Sequence, residues 1–265
     1  MLLDLYRYRR YTTAKVAGSF LVRIHPFLQT LTFVIPVVAQ IVFWKAVYSG
    51  SSGSIGGYAV GDMILYLIVV TLIGDLTWAY GGHMRSEILQ GEINELLLLP
   101  ASYIKIKYFE HIGNMVTRWM NAIVLMVIIY LFFWSDIHLT GDWWVYPAGL
   151  FSVALAFHLA FAWTLCITFI NFWTEAYPPL IGQASKLFGG SLVPLTFLPF
   201  VFQDIADFLP FKYKTYFPAS VILGKVSPSD YLMGVCLQLA WIVVLGCIAE
   251  MMWKKGVKRY AAFGG

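Results

Sequence analysis

Six long apolar stretches, separated by polar connections, restrict this chain to a fold that lies in a lipid bilayer. They run over about 26–48, 58–80, 114–134, 143–172, 179–200 and 231–253. Each is close to the ~20 residues that an α-helix needs to cross the hydrocarbon core. Backbone polar groups find no water partner there, so only helices or closed barrels can span it. The sequence predicts an all-α, polytopic integral membrane protein with six transmembrane helices.

The shortage of charged side chains supports the same conclusion. Only 12% of the residues are charged and 60% are apolar, whereas soluble domains carry about 25% charged residues. The net charge of +4 is modest, and the basic residues gather near the two ends of the chain. Because no basic face exists elsewhere, we expect membrane lipids as partners and no nucleic acid.

The distribution of lysine and arginine predicts how the chain lies across the membrane, because basic residues accumulate in cytoplasmic loops. Five basic residues lie in 1–23, three in the second connection and four after the last apolar stretch, whereas four lie on the other side. This distribution predicts that both termini are cytoplasmic. We accordingly expect a multi-pass protein of the bacterial cytoplasmic (inner) membrane.

The whole chain, 1–265, reads as a single membrane domain. The segment 1–23 mixes basic and apolar side chains, which favours an interfacial amphipathic helix; the alternative is a charged flank that only sets topology. Residues 26–134 hold the first three spans and 143–253 the last three. The final residues, 254–265, are expected to form a cytoplasmic tail.

Motifs for nucleotide, metal and catalytic sites are missing from the sequence. It has no G-x-x-x-x-G-K-[ST] phosphate loop, no H-E-x-x-H and no cluster of cysteine with histidine. We therefore predict no catalytic residue, no metal site and no cofactor bound by this chain. A protein of this kind that moves cargo needs a partner to supply the energy.

The connection 83–105, on the predicted inner side, is the best candidate for binding such a partner. Within it, Ser86 to Leu99 has the pattern of an amphipathic helix that ends before Pro100. An apolar stripe with an acidic rim suits docking into a groove on a protein. A helix lying on the membrane or on its own bundle has the same pattern. The candidate contact residues are Glu87, Ile88, Leu89, Gly91, Glu92, Ile93, Glu95, Leu96, Leu97 and Pro100.

The candidate functional ionisable side chains inside the apolar stretches are Asp75, His158 and Lys186. Asp75 and Lys186 lie at similar estimated depths from the inner side, ~12 Å and ~11 Å at 1.5 Å per residue. Because unpaired charges are costly there, we predict that the two form an ion pair. The pair either orients two spans or belongs to the cargo path. His158 is expected to be a hydrogen-bonded packing residue, with a role toward cargo or protons as the alternative.

The segment 202–229 follows the fifth apolar stretch on the predicted outer side. Its first part spaces apolar residues between polar ones, which predicts a short helix in the outer interface that ends at Pro210. The apolar residues of this candidate gate are Phe202, Ile205, Phe208 and Leu209.

Three stretches carry a resemblance to a known family. They are RSEILQGEINELLLLPAS (85–102), PLTFLPFVFQDIADFLPF (194–211) with PASVILGK (218–225), and GVKRYAAFGG (256–265). In this order and spacing they resemble the permeases of type-2 ATP-binding-cassette (ABC) exporters. The closest likeness is to the six-span subfamily that works as two related permeases with one ATPase.

This resemblance implies a permease subunit that carries an amphiphilic or hydrophobic cargo outward, between two permeases. It further implies that the inner connection holds a coupling helix, that the outer segment caps the pathway, and that ATP and Mg bind to a partner ATPase. Two alternatives stay open at this point. One is an ion-coupled secondary transporter that uses Asp75, Lys186 or His158; the other is a membrane-embedded lipid-modifying enzyme.

Overall fold

The regular structure of the chain is α-helical. The computed structural model describes residue 13 and residues 25–50, 53–79, 81–98, 100–133, 141–175 and 179–263. Within these ranges the only β-type pairing is a single bridge between Ile55 and Tyr58. The all-α prediction is therefore confirmed for the described residues, whereas the predicted interfacial helix over 1–23 lies outside them, apart from residue 13.

The helices are numbered here in chain order, and short 3₁₀ turns at Ile170–Phe172 and Leu195–Phe197 join some of them. Their bounds are α1 His25–Ser49, α2 Val60–Leu76, α3 Gly81–Gln90, α4 Ile93–Leu97, α5 Tyr103–Phe133, α6 Val145–Phe169, α7 Pro179–Phe188, α8 Phe200–Phe208, α9 Pro210–Lys214, α10 Tyr216–Ile222 and α11 Pro228–Phe263.

Three helical stretches among the described residues are long and apolar enough to cross a membrane. They are Val60–Gln90, which takes in α2 and α3, then Val145–Phe172 and Pro228–Tyr260. Helices α1 and α5 have 25 and 31 residues, so each exceeds ~30 Å at 1.5 Å per residue. Length and composition therefore support a polytopic membrane protein.

Two apolar clusters hold the bundle together. The first surrounds α2, whose Met63, Ile64 and Leu67 are almost fully buried against α1 and α10. The second joins the inner halves of α6 and α11 to α3 and α10. Because α2 is buried along nearly its whole length, it is enclosed on several sides, and its neighbours are α1, α5 and α10.

The fifth and sixth apolar stretches differ from the predicted spans. Helix α7 ends at Phe188, and Gly190 (φ +68°) adopts a backbone conformation that favours glycine. The fifth stretch is thus a half-length helix followed by turns. The helix of the sixth apolar stretch, α11, continues by contrast to Phe263, so most of the expected tail 254–265 is helical. Its Tyr260 hydroxyl reaches the turn at Gly91.

The chain between α7 and α11 folds back into the bundle, and we call residues 195–222 the re-entrant segment. Thr196 donates a hydrogen bond of 3.0 Å to the carbonyl of Gly56, at the end of the bundle where α2 begins. Phe211 then packs on Trp163, with ring centroids 4.8 Å apart. Trp163 lies about 18 residues, or ~27 Å, from the start of α6. The segment returns to Gly149, near the start of α6, at Ile222.

This path corrects the prediction for segment 202–229. The expected short helix exists as α8, and it ends at Phe208, two residues before Pro210. Pro210 then begins a further helix, α9, where its missing N–H costs nothing. Helices α9 and α10 lie inside the bundle against α6, so this part of the segment is not confined to the outer interface.

Gln238 of α11 fixes the end of α9 within the re-entrant segment. Its Nε2 donates to the carbonyl oxygens of Tyr213 (2.8 Å) and Ser152 (3.1 Å), and its Oε1 accepts from the Ser152 hydroxyl at 3.0 Å. The side chain is completely buried. One residue therefore connects α11, α6 and the end of α9, and satisfies a carbonyl that the broken helix leaves free.

We predict that Gln238→Leu lowers the thermal stability of the protein in mild detergent. The change leaves the Tyr213 carbonyl without its partner, a loss of about 1–3 kcal/mol. The measurement is the unfolding temperature followed by tryptophan fluorescence. Gln183→Leu is the matched control, because Gln183 is exposed on α7. Equal unfolding temperatures for the two variants would contradict a role for Gln238 in holding the segment.

Candidate functional site

The inner connection consists of two short helices and not of one continuous helix. Helix α3 ends at Gln90, Gly91 has φ +86°, and α4 begins at Ile93. A side chain at Gly91 would be strained at this φ, and its Cβ would lie 3.4 Å from the Tyr260 hydroxyl. The turn at Gly91 therefore rotates α4 relative to α3 and changes which residues face outward.

Three of the predicted partner contacts face the bundle. Glu87 is 4% exposed, Ile88 is 3% exposed and Ile93 is fully buried. Ile88 and Ile93 belong to the apolar cluster that surrounds the inner half of α6. This corrects the sequence-based prediction, because these side chains fix the connection to its own protein and are not available to a partner.

The remaining candidates define an exposed patch, which we call the α3–α4 surface. It comprises Leu89, Glu92, Glu95, Leu97 and Leu98. Leu98 is 86% exposed, while Leu89 and Leu97 are each 39% exposed. Pro100 is also exposed at its edge, whereas Leu96 and Gly91 are half-buried. An apolar patch with two acidic side chains is the part of the connection that a partner can reach.

A buried ionic network attaches α3 to the start of α5. Lys107 Nζ lies 2.5 Å from Glu87 Oε1 and 3.0 Å from Glu110 Oε2. The Tyr103 hydroxyl donates to Glu87 Oε2 at 2.8 Å, and His83 Nε2 lies 3.6 Å from Glu87 Oε1. Desolvating a carboxylate is costly unless its oxygens are paired, and here both oxygens of Glu87 have partners.

Arg85 attaches the opposite side of α3 to the end of α6. Its Nε donates to Asn171 Oδ1 at 3.1 Å, and its guanidinium donates to the carbonyl of Glu175 at 2.6 Å. Asn171 is held in turn by its own bond to the Thr168 carbonyl. Two charged residues of one short helix therefore connect it to two separate long helices.

The buried charge of Asp75 pairs with Arg118, which corrects the predicted partner. Arg118 Nη1 donates to Asp75 Oδ1, both side chains are buried, and Trp78 covers the guanidinium at 5.7 Å. The expected partner, Lys186, is exposed on α7. Arg118 was missed because α5 begins at Tyr103, well before the predicted start of the third span at 114, which places Arg118 about four turns inside that helix.

Arg118 belongs to a polar stripe on α5 that also contains Lys107, His111 and Asn114. All four side chains are buried, and their spacing of four, three and four places them on one helix face. The middle of the stripe lines a cavity of about 20 Å³ together with Ala79, His83 and Glu110, which is space for about one water molecule. Polar character thus extends from the inner end of α5 far into the bundle.

His158 makes contacts of the kind that a packing residue makes. Its Nδ1 lies 3.2 Å from the Tyr108 hydroxyl, and the two rings stack at 5.8 Å. The contact joins the middle of α6 to α5. A role of His158 toward cargo or protons is not required by these contacts and stays a hypothesis.

The candidate gate residues lie on α8 and just after it. Phe202 and Ile205 are each 42% exposed, Phe208 is 81% exposed and Leu209 is half-buried. Phe202 also stacks on Phe188 at the end of α7, with centroids 6.3 Å apart. This apolar face is available to lipid or to a second chain, and its role as a gate stays a prediction.

Two functional positions escaped the sequence analysis. Gln238 stands alone among apolar residues of the sixth span, and this isolated polar side chain was the available signal. Lys107 was counted only as a basic flank residue, although its spacing to Glu110, His111 and Asn114 indicates one helix face. Lys107 is recognisable only when the third helix is known to begin at Tyr103. Gln238 is recognisable only when the chain after the fifth stretch is known to fold back into the bundle.

Residues 31–264 match the model of a family described as ABC-2 family transporter protein. The match covers nearly the whole described bundle, including the inner connection and the re-entrant segment. Comparison with individual curated proteins gives no match.

We predict that Arg118, and not Lys186, is coupled to Asp75. Asp75→Asn leaves Arg118 buried without its carboxylate and should lower the free energy of unfolding by ~3–5 kcal/mol. Adding Arg118→Met should restore much of that loss, whereas adding Lys186→Met should restore none. Unfolding is measured in detergent for the single and double variants. Rescue by Lys186→Met alone would contradict the pairing described here.

Proposed function

Because the chain belongs to the ABC-2 family of transporter proteins, we propose that it is the permease subunit of an ATP-driven exporter. In this proposal six spans cross the bacterial inner membrane, with both termini in the cytoplasm. A separate ABC ATPase binds and hydrolyses ATP with Mg, and this chain carries no catalytic residue. The cargo is amphiphilic or hydrophobic and moves outward between two permeases, which are identical or related chains.

The α3–α4 surface is the observation that supports a soluble partner. Leu98 projects into solvent at 86% exposure beside Leu97, with Glu92 and Glu95 next to it. A solvent-facing leucine pair gains about 1.5–3 kcal/mol for each side chain that a partner covers. The acidic pair provides charge complementarity for a basic groove. The surface lies on the connection that Glu87 and Arg85 fix to the long helices.

The ion-coupled alternative has less support from the described residues. Of its three candidate groups, Asp75 is engaged by Arg118 and His158 is bonded to Tyr108. A coupling ion or proton would have to displace these contacts at each cycle. The ion-coupled alternative would gain support if no ATPase associates with the chain.

We predict that the triple variant Leu89→Ser, Leu97→Ser and Leu98→Ser folds normally but loses its ATPase. Contacts of the hot-spot kind cost ~2 kcal/mol or more each when removed, so co-purification should fall at least about tenfold. The measurement is affinity purification in mild detergent, followed by an assay of ATP hydrolysis. Leu192→Ser is the matched control, because Leu192 is half-exposed on the chain leading to the re-entrant segment.

Ile93 should behave differently from these three leucines. Because it is fully buried, Ile93→Ser should lower the yield of folded protein and not act selectively on the partner. If the triple variant retains the ATPase, the α3–α4 surface is not the coupling surface. If no ATPase associates even with the unaltered chain, the exporter proposal is weakened and the ion-coupled alternative gains.

We also predict the positions of three reporters. One fused after Gly265 and one inserted after Gln90 should be cytoplasmic, whereas one in the connection 49–57 should be external. The measurement compares an enzyme reporter that is active only outside with a fluorescent reporter that folds only inside. An external C-terminus would contradict the six-span topology, because the basic clusters would then face the wrong side.

A further inference from the structure

Lys186 and Lys214 differ from four other basic residues of the bundle. Lys107, Arg118, Lys212 and Lys225 each face a carboxylate within the chain. Among the described residues no ion pair includes Lys186 or Lys214. The only polar contact of Lys214 there is the hydroxyl of Ser185, at 3.4 Å from its Nζ. Lys186 directly follows Ser185 in α7.

The two lysines lie at about half the depth of the bundle. The Tyr66 hydroxyl, about six residues or ~9 Å into α2, donates to the Gly190 carbonyl at 2.5 Å. Lys186 precedes Gly190 by about one helical turn, so it lies near ~15 Å. Gln238, about ten residues or ~15 Å into α11, binds the carbonyl of Tyr213, the neighbour of Lys214. Both markers agree with the middle of a ~30 Å hydrocarbon core.

Close packing fixes the positions of the two lysines relative to each other. A Cβ on Gly189 would lie 3.3 Å from the Phe211 carbonyl oxygen, so the glycine allows α7 and the start of α9 to approach. Ser185, between the two lysines, is buried. The backbone that carries the two lysines is therefore part of the packed fold.

Two uncompensated positive charges at this depth require an explanation. A lysine near a membrane surface reaches the interface with its flexible stem, but ~15 Å exceeds the ~6 Å length of that stem. Lys186 is exposed on the single chain, which in lipid would cost several kcal/mol. It must therefore face water or a negatively charged group.

We propose that Lys186, Lys214 and the Ser185 hydroxyl bind the anionic group of the cargo, a phosphate or a carboxylate. The proposal rests on the transport function above and narrows its cargo to anionic amphiphiles. Two ammonium groups and a hydroxyl supply donors for charge-assisted hydrogen bonds to such a group. The same charges repel a cationic cargo, which makes the site selective as well as attractive.

The test is a binding titration on the purified chain in neutral detergent, without any ATPase. Oleoyl lysophosphatidic acid is the anionic probe, and oleoyl lysophosphatidylcholine carries the same chain with no net charge. Tryptophan fluorescence reports binding, since Trp163 packs against Phe211. We expect the anionic probe to bind at least about tenfold more tightly. Lys186→Gln and Lys214→Gln should each remove most of that difference.

Two further variants control for folding and for charge. Lys212→Gln should leave binding unchanged, because Lys212 already pairs with Asp207. Lys186→Glu should give Lys214 an internal partner, raising the unfolding temperature while abolishing binding of the anionic probe. This gain in stability would not accompany a variant that merely misfolds.

Three outcomes would overturn the proposal. They are equal binding of the two probes, unchanged binding in both glutamine variants, and a lower unfolding temperature for Lys186→Glu.

Inorganic phosphate is the third probe. Equally tight, lysine-dependent binding of inorganic phosphate would overturn the amphiphilic cargo in favour of a free anion. Because no ATPase is present in this titration, failure of the probe to bind tests the anion site alone. Failure of the ATPase to co-purify tests the proposed exporter function separately.

Discussion

The need to satisfy every backbone polar group inside the membrane governs the rest of this structure. The chain leaves helical geometry after Phe188, at Leu209 and at Thr215, inside a bundle of long apolar helices. Irregular backbone at such depth is tolerated only where protein covers it. Tyr66 bonds the Gly190 carbonyl and Gln238 bonds that of Tyr213. These two side chains allow the re-entrant segment to exist, and with it the placement of Lys186 and Lys214.

Helix α5 carries the second set of buried polar contacts, and its length explains their reach. Lys107 at its inner end holds Glu87 of α3, and Arg118, about 16 Å further along, holds Asp75 of α2. The stripe between them bears His111 and Asn114. Each buried pair is costly to break, because removing one partner leaves an uncompensated charge. The stripe therefore specifies how α2, α3 and α5 are arranged.

The sequence was sufficient for features that depend on length and hydropathy. Helix α1 coincides with the first predicted span, and α6 with its 3₁₀ extension ends at Phe172, as the fourth span does. The glycines and prolines of the fifth stretch indicate that it is interrupted, and its helix does end at Phe188. Hydropathy does not reveal the distant partners, such as Gln238, that hold the chain beyond this break. The partner of Asp75 was wrong for a different reason, since the third helix begins at Tyr103 and so places Arg118 well inside the bundle.

The inner connection shows the same division between pattern and context. Its amphipathic pattern was recognised, but one positive φ at Gly91 decides that Ile93 turns inward while Leu97 and Leu98 remain outside. A pattern gives the angular position of a side chain on an unbroken helix, and it loses that meaning beyond a turn. Glu87 was likewise predicted to contact a partner. The side chains that bury it, Tyr103 and Lys107, belong to the next helix, and the pattern of its own helix does not reveal them.

These attachments determine what a force on the α3–α4 surface would move. Helix α3 is fixed to α5 through Glu87 and Lys107, and to the end of α6 through Arg85 and Asn171. Sliding α3 past α5 would separate a buried pair, at ~3–5 kcal/mol, whereas moving them together breaks neither contact. In the proposed exporter, a pull from the ATPase would therefore displace α3, α5 and the inner half of α6 as one unit. Because α6 packs against α9 and α10, that displacement reaches the re-entrant segment and the lysines beside it.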